Sequence, residues 1–213
     1  MGKIKQGILG GFSGKVGPVI GAGWKGKATM RAQAISRKDP KTDAQLLQRA
    51  KFTLVGKFIM SLMQIFKEGF KAAEDGTTSL NEAMSYNLKN AVIGTVIGDL
   101  AIDPENVRYS VGGLPGLDGV DVIDDAAGHI KVTWLDNTGG EAHANDTVTF
   151  ILMNKDKDEV KKSDGTIKRS AGTYTFSTPT EWSEDEVYVH ATMKSDISSQ
   201  TSQSQYLGHV TAS

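Results

Sequence analysis

The glycine-rich stretch around Trp24 has the spacing of a phosphate-binding loop. Residues 21–27, GAGWKGK, match both G-x-x-x-x-G-K and G-x-G-x-x-G, patterns in which backbone N–H groups and a lysine surround phosphates. Binding of Mg²⁺ at such a loop needs Ser or Thr after the lysine, and position 28 is Ala. The segment before the match is too short for a buried strand, and no helix start follows it. We therefore attribute the match to chance among repeated glycines and expect no nucleotide cofactor.

Other residue types that could carry chemistry are scattered. The four histidines lack the spacing of paired metal ligands, and the chain contains no cysteine. The serine-rich run at residues 195–205 lacks the G-x-S-x-G pattern of a hydrolase nucleophile. Residues 154–165 lack the glycine at the sixth position and the glutamate at the twelfth position of a calcium loop, so we expect a solvated hairpin loop there. We expect a non-enzymatic protein with no catalytic, cofactor-binding or metal-binding residues.

The two parts of the chain carry opposite charge. Residues 1–71 contain 14 Lys and Arg against three acids, and residues 72–213 contain 10 against 22. A basic segment can bind nucleic acid, but here the same chain supplies an acidic partner. We therefore favour contacts within the molecule or between copies over nucleic acid. The acids expected to meet the basic segment are Asp121, Asp124, Asp125, Glu184, Asp185 and Glu186.

The basic segment begins with an extended, glycine-rich arm, predicted over residues 1–41. Nine of the 24 glycines fall in residues 1–26, which argues against a helix and favours backbone that approaches another surface closely. Residues 27–37 alternate in part, as a half-buried strand would. Apolar and basic side chains of this arm form a predicted assembly interface. Its members are Phe12, Lys15, Val16, Gly17, Val19, Ile20, Trp24, Lys25, Lys27 and Arg31.

A helical hairpin is predicted over residues 42–98. Thr42 and Gln45 form a capping-box pattern, and apolar residues at helical spacing continue to about Ala73. A second capping box, Ser79 with Glu82, begins a shorter helix.

Short β-type runs fill residues 99–213. Seven candidate strands, the first of them NVRYSVG at residues 106–112, alternate with turn signals. We predict an α+β protein whose C-terminal part is an antiparallel sandwich of immunoglobulin or fibronectin type. Trp134 is expected in its core. For Trp182, in the loop TPTEWSED, exposure at a ligand-binding loop and local packing are both open.

Four segments carry a resemblance to a family of Bacteroidota proteins of unknown function. They are GILGGFSGKVGPVIGAGWKG at residues 7–26, the TDAQLLQRAKF helix start, YSVGGLPG and SQSQYLGHV. The resemblance implies three parts in order: an arm with Gly-Lys-Val-Gly and Trp-Lys-Gly (here residues 14–17 and 24–26), a helical hairpin and a C-terminal sandwich. No activity is known for the family, so the resemblance supports the architecture and leaves the function open.

Two functional hypotheses follow. The first is a structural protein that self-assembles head to tail, into a fibre, tube or layer, through its N-terminal arm. The second is a cell-surface or secreted module that binds glycan or protein. We expect no transmembrane segment and see no Sec signal, which leaves the localisation undetermined, with export by another route open.

Overall fold

The computed structural model describes residues 2–4, 7, 10–24, 26–36, 39–71 and 77–213. These residues fall into two compact units, one ending at Gln45 and the other beginning at Leu46. We call them the N-terminal unit and the main unit. Antiparallel sheets occur in both, and helices join them in the main unit, so the protein is of the α+β class, as predicted.

The N-terminal unit is a single antiparallel sheet whose strands lie in chain order. The strands are β1 (Lys3–Ile4), β2 (Phe12–Val16), β3 (Val19–Trp24) and β4 (Lys27–Ala32). Tight turns with Gly17 and Gly26 at positive φ connect the last three strands. The predicted extended arm is therefore a meander of antiparallel strands. The expectation of a half-buried strand at residues 27–37 is wrong, because all of β4 is exposed at the edge of one layer.

The first helix begins where the sequence predicts but ends earlier. α1 (Asp43–Ser61) follows Thr42, whose Oγ1 accepts a hydrogen bond from the N–H of Gln45 at 3.4 Å. The helix is interrupted at Leu62, and α2 (Met63–Gly69) ends at a glycine. A Cβ on Gly69 would overlap the backbone of Tyr109, so this close approach of two backbones requires the glycine and terminates the helix.

The second predicted capping box is displaced by one residue. α3 (Ser79–Asn90) is capped by Thr78, whose Oγ1 accepts from the N–H of Asn81 at 3.2 Å. Ser79 is already inside the helix, and Glu82 accepts from the hydroxyl of Thr77 at 2.8 Å instead.

The remaining strands of the described main unit form two facing sheets and one small pair. The strands are β5 (Val92–Ile93), β6 (Ala101–Ile102), β7 (Asp118–Ala126), β8 (His129–Leu135), β9 (Thr147–Asn154), β10 (Glu159–Lys162), β11 (Ile167–Lys168), β12 (Thr173–Ser177), β13 (Glu186–Lys194) and β14 (Gln205–Thr211). β5 pairs with β6, one sheet has the order β12-β8-β7, and the larger sheet has the order β10-β9-β13-β14 with β11 beside β9.

Two strand assignments differ from the sequence prediction. Residues 106–112 form no strand, because the segment is held by residues 201–204 through hydrogen bonds that involve Ser110 and Ser204 side chains. Conversely, the predicted loop at residues 154–165 contains β10, which pairs with β9 from Glu159 to Lys162.

The two central strands of the larger sheet, β9 and β13, are buried on both faces over most of their length. Toward the smaller sheet they contribute residues such as Phe150, Leu152 and Val189 to a core that also holds Trp134, as predicted. The other face of the larger sheet, which we call the outer face, packs under the helices: Ile151 and Met153 share a second core with residues of α1, α2 and α3. This helical core draws on both sides of residue 98, the predicted boundary between hairpin and sandwich.

A buried ion pair lies at one end of the two sheets. Arg169 and Asp146 have fully buried side chains, with Nη2 of Arg169 3.2 Å from Oδ2 of Asp146. All five guanidinium N–H groups have acceptors, which are this carboxylate, the carbonyls of Pro115 (2.7 Å) and Gly116 (2.8 Å), and Oδ1 of Asn137 (2.6 Å). One side chain thereby holds three separate loops together.

A buried histidine lies under the helical core. Nε2 of His190 is 2.7 Å from the carbonyl oxygen of Pro104, which can only accept, so the neutral ring carries its proton on Nε2. Nδ1 is buried without a hydrogen-bond partner, and the ring of Tyr109 lies edge-on at 5.1 Å. Burial lowers the pKa of His190 to about 4, because a charged ring would be desolvated there.

Replacing Arg169 with Met should destabilise the protein by about 3–5 kcal/mol, because Asp146 keeps its burial and loses its cation. Lys168→Met is the matched control, since the neighbouring lysine is exposed, and it should change stability by less than about 0.5 kcal/mol. Urea unfolding followed by circular dichroism measures both. Equal stability of the two variants would contradict the structural role of the buried pair.

Stability should fall as the pH falls from about 6.5 to about 4, because the unfolded chain then binds a proton at residue 190 that the folded chain does not. The contribution of His190 is fully present above the unfolded pKa and amounts to about 3 kcal/mol. Urea unfolding across this pH range should show a flatter curve for His190→Gln, whose amide can still donate to Pro104. Parallel curves for the two proteins would contradict the assignment.

Candidate functional site

The two faces of the N-terminal sheet differ in chemistry. Directly paired residues on neighbouring strands share a face, and successive residues along a strand alternate between faces. The pairs Lys15↔Ile20 and Ile20↔Arg31 place these three residues on one face, and Trp24↔Lys27 belongs to the same face. We call it the basic face; through the pair Lys3↔Ser13 it also includes Lys3.

The opposite face, which we call the apolar face, carries glycines over which a side chain can lie directly on the backbone of the sheet. The ring of Phe12 lies where a Cβ on Gly21 would be, so a larger residue at position 21 would displace the ring. Much of the apolar face is nevertheless exposed to solvent: Ile4 is 57%, Val16 is 53% and Met30 is 73% exposed. Exposed apolar side chains that share one sheet face are typical of interaction surfaces.

The ten predicted interface residues therefore divide between two surfaces. Lys15, Ile20, Trp24, Lys27 and Arg31 lie on the basic face, where Trp24 is 60% exposed. The apolar face holds the following three predicted residues: Phe12, Val16 and Val19. The turn between β2 and β3 contains Gly17, and Lys25 lies outside the described residues. The alternation of residues 19–24 carried the signal for this division, but the repeated glycines obscured it.

Most of the acids expected to meet the basic segment lie at one end of the main unit. The β7–β8 turn follows Asp124 and Asp125 there, and the N–H of Gly128 donates to the carbonyl of Ser213 at 2.9 Å. The carbonyl of Ala212, which directly precedes Ser213, accepts a hydrogen bond from the N–H of Glu184 at 2.7 Å. Asp185 is bound by Lys157 and Asn154 of the β9–β10 turn, and these contacts lower its pKa. We call this end, with its exposed carboxylates, the acidic end.

The acidic end contains further carboxylates that sequence reasoning left unassigned. Asp156 and Asp158 lie in the β9–β10 turn and are exposed. Asp121, in contrast, lies along the body of β7 opposite Thr133. The clustering depends on which loops meet at one end of the two facing sheets, so a pattern along the sequence could not have revealed it.

Of the two roles left open for Trp182, the structure shows packing and not exposure at a ligand loop. Residues 180–182 form a short turn that directs the indole into the core between the sheets, where it is fully buried. Nε1 of Trp182 donates to Oε2 of Glu159 at 2.7 Å, so burial leaves no unpaired polar atom on the ring. The side chain acts in packing and offers no surface for stacking a ligand.

A polar groove of about 350 Å³ lies on the outer face of the larger sheet, beside α2. Its floor carries Thr147, Thr149 and Thr192, and its wall carries an ion pair of Lys194 with Glu68 at 2.9 Å. The hydrogen bond from Lys194 lowers the pKa of Glu68, which stays a carboxylate. Hydroxyls and one compensated ion pair can bind a polar ligand, but they supply no activated nucleophile with its base.

The described residues contain neither a metal site nor a membrane-spanning helix. No group of three or more His, Asp or Glu there could hold a metal ion. No helix in the described ranges combines the length and the apolar composition that a membrane crossing needs.

Comparison with known proteins places the chain in a family. A model described as a family of unknown function, DUF6266, matches residues 11–208. The chain belongs to the DUF6266 family. No curated protein matches the sequence. Among solved structures, the fn3 domain of the human collagen alpha-1(XX) chain matches at 9% identity with a TM-score of 0.37, covering 47% of this chain and 87% of that chain.

Two of the segments that carry the family resemblance, YSVGGLPG and SQSQYLGHV, meet in this DUF6266 chain. Residues 109–116 and 201–205 are far apart in sequence and are joined by backbone and side-chain hydrogen bonds. Oγ of Ser110 donates to the carbonyl of Ser202 at 2.7 Å, and the N–H of Tyr109 donates to Oγ of Ser204 at 3.0 Å. A Cβ on Gly112 would overlap the backbone of Thr201, so this glycine permits the close approach. These segments therefore have a structural role.

Proposed function

We propose that this protein is a non-enzymatic structural subunit that assembles head to tail through its N-terminal sheet. The observation that carries the proposal is the two-faced sheet, with an exposed apolar face and an opposite face bearing Lys15, Lys27, Arg31 and Trp24. A single layer of strands has little stability in water unless its apolar face is covered. A partner that covers it would stabilise the sheet and form an interface at once.

Charge favours a second copy of the chain as that partner. The basic segment and the acidic remainder of the protein are nearly balanced, so a neighbouring copy offers a complementary surface. The two surfaces differ, and a contact between different surfaces repeats from copy to copy unless it closes into a ring. Head-to-tail propagation follows from this asymmetry.

Charge also disfavours pairing of β4 with the same strand of another copy. In an antiparallel β4–β4 pair centred on Thr29, the equivalent faces of both sheets coincide. Lys27 of one copy then lies opposite Arg31 of the other, and like charges directly opposite each other are destabilising. Edge cations of this kind protect exposed strands from indiscriminate pairing, so the edge selects an acidic partner.

The finer classification of the chain also belongs to this proposal. We assign the two facing sheets of the main unit to the immunoglobulin or fibronectin type of sandwich, with Trp134 in the core between them. We also assign the chain to Bacteroidota, with residues 14–17 and 24–26 as a sequence signature, and place it at the cell surface or outside the cell.

Purified full-length protein should self-associate at low ionic strength and dissociate as salt screens the charges. The double variant Lys27→Glu/Arg31→Glu should associate at least about tenfold more weakly, because two attractive pairs become repulsive. Lys89→Glu/Lys168→Glu makes the same change in net charge at exposed sites of the main unit and should keep most of the association. Sedimentation velocity measures all three proteins. A wild-type monomer at high concentration and low salt would overturn the proposal.

The polar groove favours a second candidate function, the binding of a glycan or of a polar segment of a surface protein. The hydroxyls of Thr147 and Thr149 line this groove beside Lys162 and the Lys194–Glu68 pair. This arrangement suits a ligand with several hydroxyls and a carboxylate, which could bind the lysines.

A glycan array tests this second candidate. A retained acidic saccharide should be lost on Thr149→Val, which removes a groove hydroxyl without changing the shape of the side chain. Thr175→Val is the matched control, since Thr175 is exposed on β12 outside the groove, and it should retain the ligand. Failure of every saccharide to bind, or equal loss in both variants, would count against the groove as a glycan site.

A further inference from the structure

A second groove of the main unit is apolar and lies between α1 and the β9–β10 hairpin. It has a volume of about 280 Å³, and its apolar walls come from Leu54, Phe58, Leu62, Ile102, Met153 and Val160. Sites for drug-sized ligands typically have volumes of about 300–1,000 Å³. The size of this groove therefore suits one large apolar side chain better than a separate small molecule.

The rim of this groove is polar. Lys57 and Ser61 of α1 lie on one side, and Asp158 of the β9–β10 turn lies on the other. Asp158 is exposed and adopts a left-handed backbone conformation in this turn, with φ +56°. Asp156 belongs to the same turn, which Asn154 connects to Asp185. The apolar groove thus opens beside the acidic end.

The N-terminal sheet carries a side chain with matching properties. Trp24 is a large aromatic residue, 60% exposed, at the end of β3. Its direct neighbour on the basic face is Lys27, and Arg31 lies further along the same face. An aromatic ring flanked by cations is complementary to an apolar groove flanked by carboxylates, and tryptophan and arginine are the residues that most often dominate interfaces.

We propose that the groove between α1 and the β9–β10 hairpin receives Trp24 of a second copy, with Lys27 and Arg31 of that copy facing the acidic end. This inference rests on the proposed head-to-tail assembly and specifies its acceptor site. The donor side chain belongs to the N-terminal unit and the groove to the main unit. Each copy therefore offers one donor and one acceptor, the arrangement that a propagating contact requires.

Two single variants and their mixture test the inference. Trp24→Ala removes the donor side chain and leaves the groove intact. Ser61→Phe adds a ring at the rim of the groove and leaves the donor intact. Each variant alone should associate at least about thirtyfold more weakly than the wild type, which is the loss expected of an interface hot spot. Mixed in equal amounts, they should form a heterodimer that grows no further, because only one donor and one groove are functional.

Sedimentation velocity of each variant and of the mixture gives the result. Ser85→Phe is the matched control, since Ser85 is exposed on α3 away from the groove, and it should assemble as the wild type does. Circular dichroism checks that Ser61→Phe is folded. If it is not, Asp158→Asn replaces it: asparagine tolerates positive φ, and loss of the rim charge should weaken association about two- to fivefold.

The outcomes separate this inference from the proposed function. If Trp24→Ala abolishes assembly while Ser61→Phe and Asp158→Asn retain it, the groove is the wrong acceptor and head-to-tail assembly stands. If Trp24→Ala assembles normally, or if the mixture forms no heterodimer, the inference is overturned. A wild-type protein that stays monomeric overturns the proposed function and the inference with it.

Discussion

The burial of β9 and β13 on both faces of the larger sheet is the constraint on which the main unit depends. β9 and β13 pair over eight residues, from Val187 opposite Asn154 to Lys194 opposite Thr147. Alternate residues of these strands enter the core between the sheets, and Ile151, Met153 and Tyr188 on the opposite face enter the helical core. A strand buried on both faces must be apolar or fully hydrogen-bonded throughout, which explains why sequence alternation predicts only one of its two faces.

The outer face of this sheet also sets the positions of both grooves. Along the strands, the cross-strand pairs change from Met153 with Tyr188 to Thr149 with Thr192. The helices cover the middle, where Tyr109 stacks against Phe66 at 5.5 Å. The polar pairs remain open beside α2, and the apolar end, with Met153, opens beside α1. One gradient of polarity along two strands therefore gives two surfaces with different binding chemistry.

Local patterns in the sequence predicted the elements, and non-local contacts decided their ends and their roles. The Thr42 cap, most strands of the two facing sheets and the core position of Trp134 follow from spacing and residue type. The end of α2 does not, because Gly69 ends the helix through a contact with a residue forty positions later. Arg169 reads as one more surface cation, since its buried acceptors come from loops at residues 115–116, 137 and 146.

The candidate site was predictable to a similar depth. Composition predicts that the N-terminal segment meets another surface, and charge predicts which acids would face it; both stay predictions. Composition could not reveal that the predicted residues occupy two faces, because this depends on the register between β2, β3 and β4. The burial of Trp182 was also not predictable. Its neighbours in the sequence are polar, and the direction of the turn at residues 180–182 decides whether the ring is exposed or buried.

Because the N-terminal sheet has two different faces, an assembly that uses it can cover either one face or both. A partner that binds only the basic face leaves the exposed apolar side chains of Val16 and Met30 in water. Burying apolar surface contributes about 25 cal/mol per Å², so covering the second face would add to the stability of the assembly. Charge on the basic face can select the partner and its orientation, whereas the apolar face contributes free energy without selectivity. Under the proposed head-to-tail assembly, a four-stranded sheet with two such faces would contact neighbouring copies on both sides, as a fibre or layer requires and a closed dimer does not.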